Sequence, residues 1–164
     1  MSGHMKLIGV DLYQHLLEAA LRTARGETVE RWTPELHLGV AGCLPADWLP
    51  DEELRVTLYC RLARIEDADG LTAFCEEIED RFGPLPAEAD LLLRLASIRI
   101  AAREAKVARI DAGPAAIALT PRRDFASEAK GLVAKGERLI LSERIEDASH
   151  RLDRIEALLE ELAP

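Results

Sequence analysis

Apolar and polar residues along this chain follow two different periods. Most apolar positions recur every third or fourth residue, which places them on one face of an α-helix. The spacing predicts a first helix from Asp11 to Gly26, a second that follows Asp51, and a third that ends at Phe82 before Gly83. Asp51 has the side chain of a good N-cap, and Gly83 is suited to a left-handed C-cap. These signals give each helix a defined beginning or end.

Further helices follow in the second half of the chain. Pro86 is suited to the first position of a fourth helix, "AEADLLLRLASIRIAAREA", which is apolar around most of its circumference and is expected to be central. A short helix is predicted from Asp124 to Ala134. The pattern from Glu143 to Leu162 predicts a long amphipathic terminal helix.

The remaining apolar residues alternate with polar ones, the period of a strand with one buried face. Strands are predicted in "ELHLGVAGC" and "RLILS", and "VARIDA" and "AIALT" predict a hairpin across Gly113 and Pro114. Because helices and strands do not alternate regularly, the predicted fold class is α+β. We expect a helix-rich single domain over residues 1–164, with a leading segment 1–8 and a globular part 9–164. About six helices would pack a small sheet of short strands that includes the hairpin.

The charge balance narrows the choice of partner. The chain has 164 residues, and 21 Lys and Arg against 30 Asp and Glu give a formal net charge of −9. A negative net charge argues against a domain that binds nucleic-acid phosphates by itself, and it favours a partner with a basic surface. No apolar run is long enough for a membrane span, and no signal-peptide pattern is present. We therefore expect a cytoplasmic domain with no membrane partner.

The sequence has no recognisable catalytic or metal-binding motif. It lacks GxxxxGK[ST] and GxGxxG, and its four histidines have no HxxxH or HExxH spacing. Cys43, Cys60 and Cys75 form no CxxC pair and are expected to be reduced core thiols. Trp32 and Trp48 lie beside Pro34 and Pro45, and each either caps the local core or anchors a partner. No catalytic residue, metal ligand or cofactor is predicted for this domain.

Several strings together resemble the C-terminal domain of the bacterial transcription-repair coupling factor. "SGHMKLIGVDLYQHLLEAA" is similar to the family's opening segment and first helix, and the text from Glu35 to Ala63 resembles its strand, turn and next helix. That helix has Arg55, Tyr59 and Arg61 at the matching positions. The most specific string is "EIEDRFGPLP", which is close to the family's E-x-x-D-R-F-G-x-x-P.

Two positions depart from the family pattern. Cys60 stands where Lys is common, and Ala105 and Lys106 replace a Leu-Gly pair before the first hairpin strand. The second departure puts a long side chain at a turn where the family has glycine.

The resemblance implies that this is a non-catalytic part of a larger, ATP-driven DNA translocase. That factor removes stalled RNA polymerase and recruits nucleotide-excision repair, and its motor, which uses ATP and Mg, lies elsewhere in the parent chain. The C-terminal domain would be an autoinhibitory clamp on an N-terminal module that resembles the repair-helicase subunit. There it would mask the surface that recruits the damage-recognition ATPase.

The resemblance also implies an interdomain interface at Glu77, Asp80 and Arg81. These residues stand at positions i, i+3 and i+4 and therefore share one helix face. The alternative is that Glu77 and Arg81 form only an intrahelical ion pair worth ~0.3–0.5 kcal/mol.

Two rival functions differ in class from this clamp. One is a small stand-alone enzyme whose site is assembled from distant segments, which a deep pocket with perturbed pKa values would favour. The other is a direct DNA-binding module, which the net charge opposes.

Overall fold

A computed structural model describes residues 32–127 and 131–163 of the chain. The described residues divide into two compact units. The first contains Trp32 and residues 41–97, and the second contains residues 33–40 and the described residues from Ile98 onward. The predicted first helix lies outside the described residues, and the single-domain organisation over 1–164 stays a prediction.

The first unit is helical. Helix α1 spans Glu52–Arg64, α2 spans Ala68–Phe82, and α3, which continues into the second unit, spans Ala87–Glu104. The Asp51 carboxylate caps α1 by accepting hydrogen bonds from the backbone N–H groups of Glu53 and Leu54. The predicted start of this helix is confirmed.

Helix α2 ends where the sequence predicts. Gly83, with φ +90°, follows its last residue, and the Gly83 N–H donates to the Glu79 carbonyl at 2.9 Å. This backbone conformation is costly for residues with a Cβ, so glycine is the expected occupant. Leu71, Phe74 and Ile78 are buried along one side of the helix, whereas Phe82 is only partly buried.

The segment before α1 is held by buried contacts instead of by regular structure. A Cβ at Gly42 would lie 2.5 Å from Leu92 Cα and 2.8 Å from the Glu88 carbonyl oxygen, so the backbone touches α3 directly. The next residue donates its N–H to that same carbonyl at 3.1 Å. The buried Tyr59 hydroxyl accepts a hydrogen bond from the Leu44 N–H at 2.8 Å. Close backbone approach therefore explains the second glycine of "GVAGC".

The second unit contains a five-stranded mixed sheet. The strands are β1 Glu35–His37, β2 Val107–Ala112, β3 Ile117–Pro121, β4 Leu132–Lys135 and β5 Arg138–Leu141. Their order is β1-β2-β3-β5-β4, with β1 parallel to β2 and the other pairs antiparallel. The predicted hairpin is confirmed as β2 and β3, and the α+β class is confirmed with it.

Strand β1 is shorter than the sequence predicts. It ends at His37, two residues before Gly39, whose φ is +74°. Residues 41–43 belong to the first unit. The alternation of apolar and polar residues from Glu35 to Cys43 therefore predicts a strand that is too long.

The predicted helix from Asp124 to Ala134 is wrong. Residues 132–134 lie in β4, which forms a tight hairpin with β5. Gly131 and Gly136 flank this strand with φ values of +89° and +64°, which interrupt any helical continuation. Four helices are therefore present in residues 32–127 and 131–163, against the predicted total of about six for the whole chain.

Helix α4 spans Ala148–Leu162 and begins five residues later than predicted. The preceding segment is engaged elsewhere, because the Ile145 N–H donates to the Pro114 carbonyl at 2.9 Å. Asp147 then caps the helix by accepting from the His150 N–H. The buried apolar stripe matches the predicted face. Its members are Leu152, Ile155, Leu158, Leu159 and Leu162.

Lys106 lies at the turn between α3 and β2 and has a φ of +64°. It is the one non-glycine residue with positive φ in the described part of the chain. Its carbonyl accepts a hydrogen bond from the Arg122 N–H at 2.9 Å, which fixes the left-handed turn. The turn at this departure from the family pattern is therefore left-handed, although the residue there is lysine.

Candidate partner interface

Glu77, Asp80 and Arg81, the residues that the family resemblance assigns to an interface, lie near the C-terminal end of α2. Glu77 is partly buried, whereas Asp80 and Arg81 are exposed. The buried side of the helix carries the core residues Phe74 and Ile78. A well-packed helix thus presents a polar side with charges of both signs.

Glu77 is the centre of an ion-pair cluster. Arg61, from α1, donates two parallel hydrogen bonds to the Glu77 carboxylate, each 2.7 Å long. Arg81 donates a third, at 3.2 Å, to Oε2. Hydrogen bonding by Arg61, and then by Arg81, lowers the pKa of Glu77 to about 2. The carboxylate therefore stays ionised at any physiological pH.

Both arginines of this cluster also lie over aromatic rings. The Arg61 Cζ is 5.2 Å from the centroid of Phe74, and the Arg81 Cζ is 4.8 Å from the centroid of Phe82. Cation–π contacts at these distances restrict the long side chains. The two guanidinium groups that bind the Glu77 carboxylate are therefore each held by a second contact.

Trp48 closes the end of α2. Its indole N–H donates to the Phe82 carbonyl at 3.0 Å, and its ring meets the Phe82 ring edge to face with centroids 6.1 Å apart. Trp48 is partly buried. The interpretation that this tryptophan caps local structure is confirmed, and its two contacts hold Phe82, the last residue of α2.

Asp80 differs from Glu77 and Arg81 because it forms no hydrogen bond or ion pair with the residues that the structure describes. It stands next to Arg81, whose exposed guanidinium uses only one nitrogen in binding Glu77. The helix end thus presents one uncommitted anion beside one partly committed cation. Adjacent groups of opposite charge can orient a partner as well as attract it.

A second charged cluster lies on the sheet and has the opposite composition. There one arginine, Arg109, is shared by two carboxylates: it forms two bonds with Asp111, at 2.8 and 3.0 Å, and a longer one of 3.5 Å with Glu35. Hydrogen bonding by Arg109 lowers the pKa of Asp111. An open groove beside this cluster is lined by Arg109, Asp111, Thr120, Lys135, Glu137 and Arg138. Arg109 and Asp111, the groups with shifted pKa values, form a salt bridge with each other. This is not the arrangement of a general acid and base.

Two of the three cysteines have thiols with raised pKa values. Cys43, Cys60 and Cys75 are free and only partly buried, so the prediction that they are core thiols was too strong. Burial raises the pKa of the Cys43 and Cys75 thiols, and nearby carboxylates add to the effect. Both thiols are therefore protonated and weakly nucleophilic near neutral pH.

The described residues contain neither a metal cluster nor a membrane-spanning helix. Within residues 32–127 and 131–163, no three His, Cys, Asp or Glu side chains are grouped to hold a metal ion. In the same ranges, no helix combines the length and the apolar character needed to cross a bilayer.

Sequence reasoning found two members of the α2 cluster and missed the third. The intrahelical contact between Glu77 and Arg81 is present, as the alternative interpretation expected. In the sequence, Arg61 belongs only to a family string, and no local signal indicates its two hydrogen bonds to Glu77. The two residues are 16 positions apart on different helices, so no local spacing rule connects them.

The family model for the TRCF domain matches residues 38–132, more than half of the chain. This chain belongs to the TRCF domain family. The matched range contains α1, α2, α3, β2 and β3, and it includes the Glu77 cluster.

Curated relatives agree with this assignment. A transcription-repair-coupling factor of Haemophilus influenzae is 36% identical over 118 residues, which cover 68% of this chain and 10% of the relative. Those of Helicobacter pylori strain 26695 and Rickettsia typhi are 33% and 28% identical over 66% and 68% of this chain. The chain spans about a tenth of the length of these relatives.

A solved structure has the same fold. The crystal structure of the C-terminal domain of a transcription-repair coupling factor aligns with a TM-score of 0.70 and 17% identity. The alignment covers 83% of this chain and 95% of that one. This TRCF domain and the crystallised domain therefore share an α+β architecture.

Proposed function

We propose that this TRCF domain is the non-catalytic, autoinhibitory C-terminal domain of an ATP-dependent DNA translocase that couples removal of stalled RNA polymerase to nucleotide-excision repair. It docks on the N-terminal repair-helicase-like module of the same factor through the face formed by Glu77, Asp80 and Arg81. While docked, it masks the surface that recruits the damage-recognition ATPase. ATP and Mg act in the motor of the parent protein, and polymerase reaches this domain indirectly.

The observation that carries the proposal is the pair of opposite charges at the end of α2, an exposed carboxylate beside an exposed and only partly bound guanidinium. Asp80 has no partner in the described residues, and Arg81 is held beside it by Glu77. Asp111, by contrast, is bound by an arginine of its own strand. An exposed group of each sign on a helix end that Trp48 holds supports a specific electrostatic contact with another domain.

The exposure of these groups suits a contact that opens and closes. Arg81 and Glu77 have side-chain exposures of 48% and 37%, so an interface built on them is partly solvated and sensitive to salt. A clamp that polymerase engagement must release needs only a bias of a few kcal/mol towards the closed state. The partial exposure of Glu77 and Arg81 is more typical of a contact that can be released than of a permanent one.

The test is calorimetric titration of this domain into the N-terminal module of its parent factor at two salt concentrations. We expect binding that weakens at the higher salt, and we expect the double variant Asp80→Lys, Arg81→Glu to lose about tenfold or more in affinity. Its helical circular dichroism should be unchanged, because neither side chain is buried.

A matched control exchanges another exposed pair without altering net charge. The double variant Arg144→Glu, Glu146→Lys changes two side chains that are 77% and 72% exposed, and it should bind like the unmodified domain. Equal losses in the two double variants would refute a specific face. Loss of helical signal in the Asp80 and Arg81 variant would make those residues structural.

A further inference from the structure

Three hydrogen bonds from two arginines of the same chain occupy most of the acceptor positions of the Glu77 carboxylate. Oε1 accepts from Arg61, and Oε2 accepts from both Arg61 and Arg81. The two bonds from Arg61 are short and parallel, which is the fork geometry that matches a guanidinium to a carboxylate. A residue bound in this way offers a partner only one remaining acceptor position, on Oε1, whereas Asp80 offers its whole carboxylate.

Arg61 is fixed by more than Glu77. It projects from α1, and its guanidinium lies over the Phe74 ring of α2. Phe74 is a core residue that is only 3% exposed, so it is an immobile surface for this contact. Arg61 thus connects two helices and determines where the Glu77 carboxylate lies.

The position of Arg81 then depends on this arrangement. Its guanidinium is held between the Glu77 carboxylate, at 3.2 Å, and the Phe82 ring, at 4.8 Å. Without Arg61, Glu77 would keep only the single, longer bond to Arg81 and would be free to turn. A flexible Arg81 would lose more conformational entropy on docking than one that is already held.

We propose that Arg61 is a positioning residue of the docking face: through Glu77 it fixes the Arg81 guanidinium beside Asp80, and Glu77 acts within the chain instead of across the interface. The groups that meet the partner are then Asp80 and Arg81. The fitting partner surface presents a cation opposite Asp80 and a carboxylate opposite Arg81. This inference rests on the proposed docking function and assigns separate roles within it.

The docking test compares Arg61→Gln, Glu77→Gln and the variant that carries both changes, by titration into the N-terminal module. Each single variant should lose about fivefold in affinity, the scale of one exposed ion pair. The combined variant should lose no more than either single one, because both changes break the same link. Multiplying losses, or a Glu77→Gln loss much larger than that of Arg61→Gln, would make Glu77 a direct contact and overturn the proposal.

Arg64→Gln is the matched control. Arg64 is an exposed arginine of the same helix, and it forms no ion pair with the described residues. The change removes the same charge from nearly the same place. If Arg64→Gln weakened docking as much as Arg61→Gln, general electrostatics would account for the effect and positioning would not.

A second readout needs no partner. The pKa of the Glu77 carboxyl, measured by NMR titration of the isolated domain, should be about 2 and should rise towards the ordinary value of 4.5 in Arg61→Gln. Because the folded-state pKa is lowered, the stabilisation is present above pH 4.5 and is lost as the pH falls towards 2. Arg64→Gln should leave this pKa unchanged.

The two readouts separate the possible failures. If the unmodified domain does not bind the module, the proposed function fails, and the docking role of Arg61 fails with it. If the domain binds but the Glu77 pKa stays low in Arg61→Gln, the docking function stands and the positioning role is overturned.

Discussion

The segment before α1 and the turn after α3 obtain irregular backbone structure in opposite ways. At residues 42–44 the chain is held by contacts with distant residues, including a buried hydrogen bond to Tyr59 and direct contact of Gly42 with α3. At Lys106 the left-handed turn is held by backbone hydrogen bonds, although the residue is unsuited to its φ. The first region depends on close contacts between elements, whereas the second accepts an unfavourable φ at one residue.

This difference decides which substitutions the domain can accept. A change at a close contact requires two elements to move, whereas a change at a turn alters only the local conformational energy.

Gly42→Ala should lower the free energy of unfolding by about 3 kcal/mol or more, because the added methyl group overlaps the backbone of α3. Urea denaturation monitored by circular dichroism measures the loss. The matched change is Gly113→Ala in the β2–β3 turn, where a Cβ would meet no atom within 4 Å. It should alter stability by less than about 1 kcal/mol. Similar losses at the two glycines would remove the contrast between the regions.

Tyr59→Phe should cost about 1–3 kcal/mol, because it leaves the buried Leu44 N–H without its acceptor. The same denaturation assay applies. Ser127→Ala is the comparison from the second unit, where the hydrogen bond to the Leu162 carbonyl is only partly buried. Its cost should be smaller, about 0.5–1 kcal/mol. A Tyr59→Phe domain as stable as the original would show that water replaces the hydroxyl.

Lys106→Gly should raise the free energy of unfolding by about 0.5–1 kcal/mol, since glycine adopts positive φ without a Cβ clash. This substitution also removes the ion pair between Lys106 and Asp124, which is 3.9 Å long and exposed and therefore offsets little of the gain. Lys106→Ala, which removes the same ion pair but keeps a Cβ, should give no such increase. Equal effects of glycine and alanine would assign the change to the side chain and not to the turn.

Local signals predicted most of the fold. The Asp51 cap, the Gly83 stop and the β2–β3 hairpin are each encoded within a few residues, and the structure contains all three. Strand β4 could not be recognised in this way, because its short sequence contains helix-forming residues and its pairing with β5 decides its conformation. The early end of β1 likewise depends on tertiary contacts of the residues that follow.

Only some contacts of the candidate site can be predicted from the sequence. The spacing of Glu77 and Arg81 on one helix predicts that they can meet, and they do. That spacing contains no information about Arg61, since its reach to Glu77 depends on how two helices pack. The family string identified the charged residues but could not show that Asp80 lacks the internal partner that Glu77 has.

The hairpin of β4 and β5 also affects how the domain behaves at high concentration. In the described part of the chain, β4 pairs only with β5, and its Val133 side chain is 62% exposed. Such an edge invites self-association by strand addition. Lys135 ends this strand, and a lysine on an edge strand opposes such pairing. The positive charge of Lys135 therefore opposes the addition of a second copy to the edge of the sheet.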